Sequence, residues 1–382
     1  MHDYVMPYGP QHPSLKEPLN LALELDGDHI TGVHLRLGYV HRGVEKIFEG
    51  KDVQKVLYLA EHTCGICSYA HSSACTRAME QILGLEAPPR ARLLRTIVAE
   101  LERLHSHLLW AGFAMHEIGF QSLFMLFWRE RERVLDALEA ITGGRVHHNY
   151  NKLGSVRYDL PKGAEKKVAE KLDELEANLP DLDREMKKNN VVRARLKRVG
   201  HVSKHDALGY GLVGPMARGS GVDCDIRKSD PYAAYAEVKF KEVIEKDGDA
   251  FARAKVRLAE LRESISIIRQ CLTLLPEKRI AKWAWPPIKS GRGFGRVEAP
   301  RGEDFHYYEV KNNIVTRGKI RTPTLANIGI LEKLLVGSEM GDTPVIVSSF
   351  DPCIGCLERT LVIDNGKREW VSEQEFRRKY CD

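Results

Sequence analysis

The chain has 382 residues, 43% of them hydrophobic and 29% charged, with 58 Lys and Arg against 53 Asp and Glu for a net charge of +5. This is the composition of a folded globular protein of one to three domains, and it excludes a disordered tail or a repeat array. The basic cluster Arg193, Arg195, Lys197 and Arg198 has no aromatic platform or nucleic-acid motif beside it, so it reads as solvated surface and no nucleic-acid partner is expected.

From the amino terminus, Met1-His2-Asp3-Tyr4 lacks the basic and apolar regions of a secretory signal, which predicts a cytoplasmic chain. Leu19 to Val40 alternates apolar and polar residues around Asp26-Gly27-Asp28, the pattern of a β-hairpin. From Pro88 to Gly112, apolar residues at Leu93, Leu94, Ile97, Val98, Leu101, Leu104, Leu108 and Leu109 keep a 3.6-residue rhythm, with Pro88 and Pro89 suited to a first turn and Gly112 near the end. Further helices are expected over about Gln121 to Ile141, stopping at Gly143-Gly144, over Ala164 to Lys188, and over about Ala250 to Leu275. The Gly- and Pro-bearing stretches 200–222 and 284–302 read as ordered loops. Leu123 to Trp128 is the nearest approach to a membrane span and falls far short of the ~20 apolar residues needed. Thr360 to Asp364, Asn365-Gly366 and Lys367 to Val371 form a type I′ hairpin pattern. The expected fold is mainly α with small β additions (α+β). It is one domain over 1–382, with a β element at 1–42, a helical body at 43–285 and a carboxy-terminal region at 286–382.

Eight cysteines in a reducing compartment point to metal or redox chemistry before disulfides. Four form two pairs, Cys64-Gly65-Ile66-Cys67 and Cys353-Ile354-Gly355-Cys356, a spacing that lets both thiolates of a pair grip one metal. Four soft ligands suit zinc, an iron-sulfur cluster or nickel. A small zinc ribbon is excluded, because nearly the whole chain separates the pairs. Cys75, Cys224, Cys271 and Cys381 are scattered and form no second set. The first pair is flanked by Glu61, His62 and His71, the second by Asp351 and Arg359. A structural zinc has little use for a carboxylate, an imidazole and a guanidinium, whereas a site that moves protons and stabilises charge uses all three.

Ala60 to His71 resembles the amino-terminal metal motif of nickel-iron hydrogenase large subunits, and Asp351 to Arg359 resembles their carboxy-terminal one. Gly9 to Pro13, Gly38 to Lys46, Glu100 to Arg103, Ser106 to Leu108, Arg129 to Glu132 and Gly214 to Arg218 also resemble the quinone-site subunit of respiratory NADH dehydrogenase. This double likeness, over most of the chain, marks the energy-converting membrane-bound hydrogenases of the Ech-like and archaeal type. The first rival is a quinone-site or sulfur-reducing relative without hydrogenase activity, and the second a subunit whose thiolates hold zinc.

The resemblance implies a Ni-Fe centre with carbon monoxide and cyanide on iron. Cys64 and Cys353 would be terminal nickel ligands, Cys67 and Cys356 bridging ones. It implies a proton-relay carboxylate at Glu45, otherwise a surface acid at a helix start. It implies that His71 donates a hydrogen bond to a cysteine sulfur, the alternative being a satisfied core histidine. Arg301 would hang over the metals, anchored by Asp351, whose other reading is the cap of the turn into Pro352. Pro323 and Thr324 would line a cyanide pocket, or only shape a loop turn. Glu61 matches a carboxylate that in many members binds a separate magnesium or iron ion, but those members have a histidine where this chain has Arg359, so that ion stays open. The hairpin after Arg359 is expected to be retained, and His12 to be inherited structure. The implied activity is reversible proton reduction to hydrogen with ferredoxin-derived electrons. The implied partners are an iron-sulfur small subunit, further hydrophilic subunits and integral membrane subunits that hold the chain at the cytoplasmic face of the membrane.

Overall fold

The chain begins with a three-stranded antiparallel sheet in the computed structural model, which describes residues 4–277, 280 and 290–357, together with the backbone of 360–364 and 367–371. Strands β1 (Tyr4–Tyr8), β2 (Asn20–Asp26) and β3 (His29–Arg36) pair in the order β1-β2-β3. The hairpin expected around Gly27 forms, with Leu21, Leu23, Leu25, Ile30, Val33 and Leu35 on its buried face. β1 is an addition to that expectation.

The helical body follows: α1 (Val44–Phe48), α2 (Val53–Glu61), α3 (Ser68–Leu83), α4 (Pro89–Glu117) and α5 (Gln121–Thr142). After the short pair β4 (Asn151–Lys152) and β5 (Ser155–Val156) come α6 (Ala164–Lys188) and α7 (Asn190–Leu196). α8 (Lys204–Gly209), α9 (Gly214–Arg218), α10 (Ile226–Ser229) and the long α11 (Ala250–Leu274) complete it. Leu94, Ile97, Val98, Leu101, Leu104 and Leu108 are all buried on α4, the central helix of the largest apolar cluster. Gly112 does not end that helix. A Cβ there would lie 2.5 Å from Trp128 of α5, so the glycine is where two helices cross closely, and α4 runs on to Glu117. α5 does stop at Gly143, in the left-handed region with φ 78°.

Two stretches read as loops are more ordered than that. Residues 200–222 contain α8 and α9. Residues 290–302 belong to an antiparallel meander of β6 (Ser290–Ala299), β7 (Gly302–Lys311) and β8 (Ile314–Arg321); 284–289 lie outside the described residues. Gly291, Gly293 and Gly295 alternate on one face of β6 because α3 lies directly on it. A Cβ on Gly293 or Gly295 would meet the carbonyl oxygens of Ala78 or Ala74 at 2.3 and 2.1 Å. The chain then forms α12 (Pro323–Asn327), α13 (Leu331–Leu335) and α14 (Thr343–Phe350). A terminal hairpin pairs β9 (Thr360–Asp364) with β10 (Lys367–Val371), and its expected Asn365-Gly366 turn lies outside the described residues.

One apolar cluster joins Leu21, Leu23 and Leu35 of the first sheet to Leu331, Ile346, Phe350 and Ile354. This packing carries the second cysteine pair back to the amino-terminal part of the fold. Among the described residues, no helix is long and apolar enough to cross a membrane.

Candidate metal centre

The first cysteine pair occupies the link between α2 and α3, with Cys67 at the cap position of α3. The amino end of that helix has backbone donors without helical partners. Glu102, fully buried on α4, accepts from two of them, Tyr69 N at 2.6 Å and Ala70 N at 3.0 Å. The second pair follows α14, which ends at Asp351 in the left-handed region with φ 60°, so that Pro352 and Cys353 turn back under the first loop. Thr324 Oγ1 accepts from Cys353 N at 3.0 Å, and Glu17 accepts from Gly355 N at 3.0 Å. Arg42 joins the two loops, donating to His62 O at 3.2 Å on one and to Gly355 O at 2.6 Å on the other.

These supports bring together four sulfurs that are 289 residues apart in pairs. Cys64 and Cys353 Sγ are 3.3 Å apart, Cys67 and Cys356 3.9 Å, and Cys353 and Cys356 3.0 Å. None is at the ~2.05 Å of a disulfide, and all four are buried free cysteines. Such a set of soft donors fits one shared metal core. Cys64 is held well below the usual thiol range, chiefly by hydrogen bonds from Cys353, Cys356 and Cys67, and in return Cys67 and Cys356 are pushed well above it.

Arg301 stands at the tip of the β6–β7 turn, where Ala299 pairs with Gly302. The turn is seated tightly against α9: a Cβ on Gly214 would come within 2.2 Å of Arg301 O. The guanidinium donates to Asp351 Oδ1 at 2.9 Å, Asp351 O at 3.1 Å and Ser106 Oγ at 3.0 Å. Burial works against its charge, but Asp351 and then the sulfurs of Cys353, Cys67 and Cys64 outweigh burial and keep it protonated. Asp351 also faces Lys16 at 3.2 Å and Arg257 at 3.7 Å. Burial raises its pKa, yet Arg301, Lys16 and Arg257 hold it far below the carboxylate range.

The other expected residues fall in three places. Pro323 opens α12 and Thr324 follows it, under Cys353. Glu61 is buried and accepts from Asn149 N at 2.6 Å; among the described residues it joins no metal-sized cluster, and Arg359 lies outside them. Glu45 is buried in the first turn of α1, bound to Lys319 Nζ at 2.5 Å and Ile320 N at 2.9 Å, and its charge acts on His306 and Tyr308. His71 differs from expectation. Its Nδ1 lies 2.9 Å from Asp304 Oδ2, and its Nε2 has no hydrogen-bond partner among the described residues, so it makes no bond to a cysteine sulfur. Asp304 on β7 lies on the face toward which Nδ1 of the ring turns.

Glu17, Lys16, Arg42 and Glu102 were not singled out from the sequence. Lys16 and Glu17 come three and four residues after the Gly9 to Pro13 motif, and Arg42 and Glu102 fall inside quoted motifs, but no local pattern marks any of them as a support of the sulfurs.

A family profile described as "Nickel-dependent hydrogenase" matches residues 42–124, and one described as "Respiratory-chain NADH dehydrogenase, 49 Kd subunit" matches 117–288 and 283–359. The membrane-bound hydrogenase subunit alpha of Pyrococcus furiosus is 37% identical across 97% of this chain and 91% of its own length. The carbon monoxide-induced hydrogenase of Rhodospirillum rubrum is 37% identical across 94% of this chain and 100% of its own. The chain is a large subunit of the membrane-bound nickel-iron hydrogenase family. That family is related to the 49 kDa subunit of respiratory NADH dehydrogenase. Among solved structures, the membrane-bound sulfane sulfur reductase, an archaeal respiratory membrane complex, matches with a TM-score of 0.89 and 32% identity, over 94% of this chain and 99% of that one. The mainly helical fold with small antiparallel sheets is that of hydrogenase large subunits.

Proposed function

We propose that this hydrogenase-family subunit holds a Ni-Fe centre on Cys64, Cys67, Cys353 and Cys356 and catalyses the reversible reduction of protons to hydrogen. The convergence of four buried sulfurs from opposite ends of the chain, beside a buried Arg301 fixed by Asp351, carries this reading. When bound, the centre, with carbon monoxide and cyanide on iron, supplies a redox-active pair of metals at which hydrogen can be split unequally.

The chain's own groups then have separate tasks. Arg301 presents a fixed positive charge to the sulfurs, and three hydrogen bonds keep it there without reorganisation. Thr324 and Arg42 hold the loop backbones, so that the two pairs keep their spacing. Proton transfer needs a carboxyl near the sulfurs whose pKa is not too low. Glu17 meets this need: burial raises it, Gly355 lowers it, and the nearby Cys64 raises it again, leaving it above the usual range. Glu45, acting on His306 and Tyr308, would serve further out on a proton route.

Single electrons must leave or arrive through a partner, because the described cysteines outside the centre, Cys75, Cys224 and Cys271, form no second metal-sized cluster. The partner is an iron-sulfur small subunit, in a complex with further hydrophilic and integral membrane subunits at the cytoplasmic membrane face, fed by ferredoxin. The likeness to the sulfane sulfur reductase favours one second reading, a sulfur-reducing or quinone-site subunit without hydrogenase activity. Infrared spectroscopy of the anaerobically purified complex separates the two. Carbon monoxide and cyanide bands with about one nickel per chain support the hydrogenase, and a complex without nickel overturns it.

A further inference from the structure

A second group of ligand atoms lies behind the cysteines, between α3 and β7. Period-2 alternation on β7 puts Asp304, His306 and Tyr308 on the one face covered by α3, and all three are fully buried. On α3 a turn of four residues rises about 6 Å, close to the ~6.6 Å between alternate strand residues. His71 therefore sits against Asp304 and His306, and Cys75 one turn on sits against Tyr308. His71 Nδ1 is 2.9 Å from Asp304 Oδ2 and 3.0 Å from His306 Nε2, and His306 Nε2 is 3.3 Å from Asp304 Oδ2.

Protons alone satisfy this triangle badly. One proton on His71 Nδ1 would be shared between two acceptors at nearly equal distance. A second proton on His306 Nε2 would face the first across 3.0 Å. Neither oxygen of Asp304 makes a well-directed hydrogen bond among the described residues, although the carboxylate is wholly buried. Buried polar atoms are rarely left so.

We propose that His71 Nδ1, Asp304 and His306 Nε2 bind a divalent first-row metal ion, zinc or ferrous iron, distinct from the cysteine centre. Two imidazoles and one carboxylate are the donor set for such ions. With ligand bonds of ~2.1 Å, neighbouring donors lie about 3.0 Å apart on an octahedral face and about 3.4 Å apart in a tetrahedron, and the observed edges of 2.9, 3.0 and 3.3 Å lie close to these values. Tyr308 Oη, 2.8 Å from His306 Nδ1, fixes the far side of that ring, the kind of outer hydrogen bond that leaves Nε2 free to bind a metal. The ion ties the first turn of α3, which carries Cys67 at its cap, to the sheet that carries Arg301.

The inference does not depend on the hydrogenase reading. In the purified complex, elemental analysis of D304N and H306Q is expected to show about one equivalent of zinc or iron fewer per chain than wild type, with nickel unchanged. Unchanged zinc and iron contents in both variants would overturn the site. Should the variants fail to assemble, anomalous scattering at the zinc and iron edges from wild-type crystals decides. A peak within ~2.5 Å of all three ligand atoms supports the ion, and its absence refutes it. A peak here in a preparation free of nickel would support this site while refuting the hydrogenase.

Discussion

Replacing Arg301 with lysine keeps the positive charge and removes the fork. The guanidinium reaches Asp351 Oδ1, Asp351 O and Ser106 Oγ at 2.9, 3.1 and 3.0 Å from three different nitrogens, and the single ammonium of lysine cannot hold all three in that geometry. Because a cation still faces Asp351, the large penalty of an unpaired buried charge is avoided and the fold should survive. The loss falls on position. A hydrogen bond to a charged group contributes about 1.5–3 kcal/mol, and if one such bond is what aims the charge at the sulfurs, turnover falls about 10- to 150-fold. Hydrogen evolution from a reduced dye, normalised to nickel content, measures this. Nickel content should match wild type, since no sulfur has moved. Activity within about threefold of wild type at full nickel loading would refute the claim that a fixed guanidinium matters to turnover.

Other perturbations test the neighbouring steps. E17Q keeps the acceptor for Gly355 N but cannot carry a proton, so turnover should fall by about 10²- to 10⁴-fold at unchanged nickel content; a near-normal rate would remove Glu17 from the route. G295A forces a Cβ against Ala74 O, and overpacking of this kind costs about 1–3 kcal/mol; lowered thermal stability and reduced nickel loading are expected, with wild-type melting as the refuting result. Glu242 is pushed up to about 7, first by burial and then by sharing a proton with Asp223. A raised carboxyl contributes stability below its unfolded pKa and loses it as pH rises through about 7. E242Q should therefore gain on wild type between about pH 5 and pH 8, and a constant difference in melting temperature would contradict this. The intact mass of the holoprotein should include the hairpin after Arg359, and a chain ending there would show removal.

The cysteine pairs were legible because metal ligation leaves a local trace: two thiols three residues apart, twice, with charged neighbours. The long helices were legible for a similar reason, since one buried face repeats every 3.6 residues. Gly291, Gly293 and Gly295 misled, because glycine marks both a loop and a strand pressed against a helix, and only the position of α3 separates the two. That error had a consequence at the site. With β7 unread, nothing stood against the sulfur partner that the resemblance implies for His71, whereas the strand places Asp304 and His306 beside its Nδ1. β1 has no reading in the sequence; its Pro7 argues against a central strand but is tolerated on the edge strand that β1 proves to be. Lys16, Glu17 and Arg42 could not have been found by pattern. Lys16 meets Asp351 335 residues away, and Arg42 bridges residues 62 and 355.

The charges around Asp351 allow a sharper test of how the centre is held. Three cations, Arg301, Lys16 and Arg257, converge on this one buried carboxylate. Removing it as D351N leaves them facing one another away from water, and breaking a buried pair in this way costs about 3–5 kcal/mol. Removing one cation as well should return part of that loss. The double variant D351N/R301M is therefore expected to be more stable than the sum of the two single variants by about 0.5–3 kcal/mol, while remaining inactive, because the guanidinium is gone. If the two changes add within about 0.5 kcal/mol, Asp351 is not the counter-ion that holds Arg301, and the argument for a fixed cation beside the sulfurs loses its anchor.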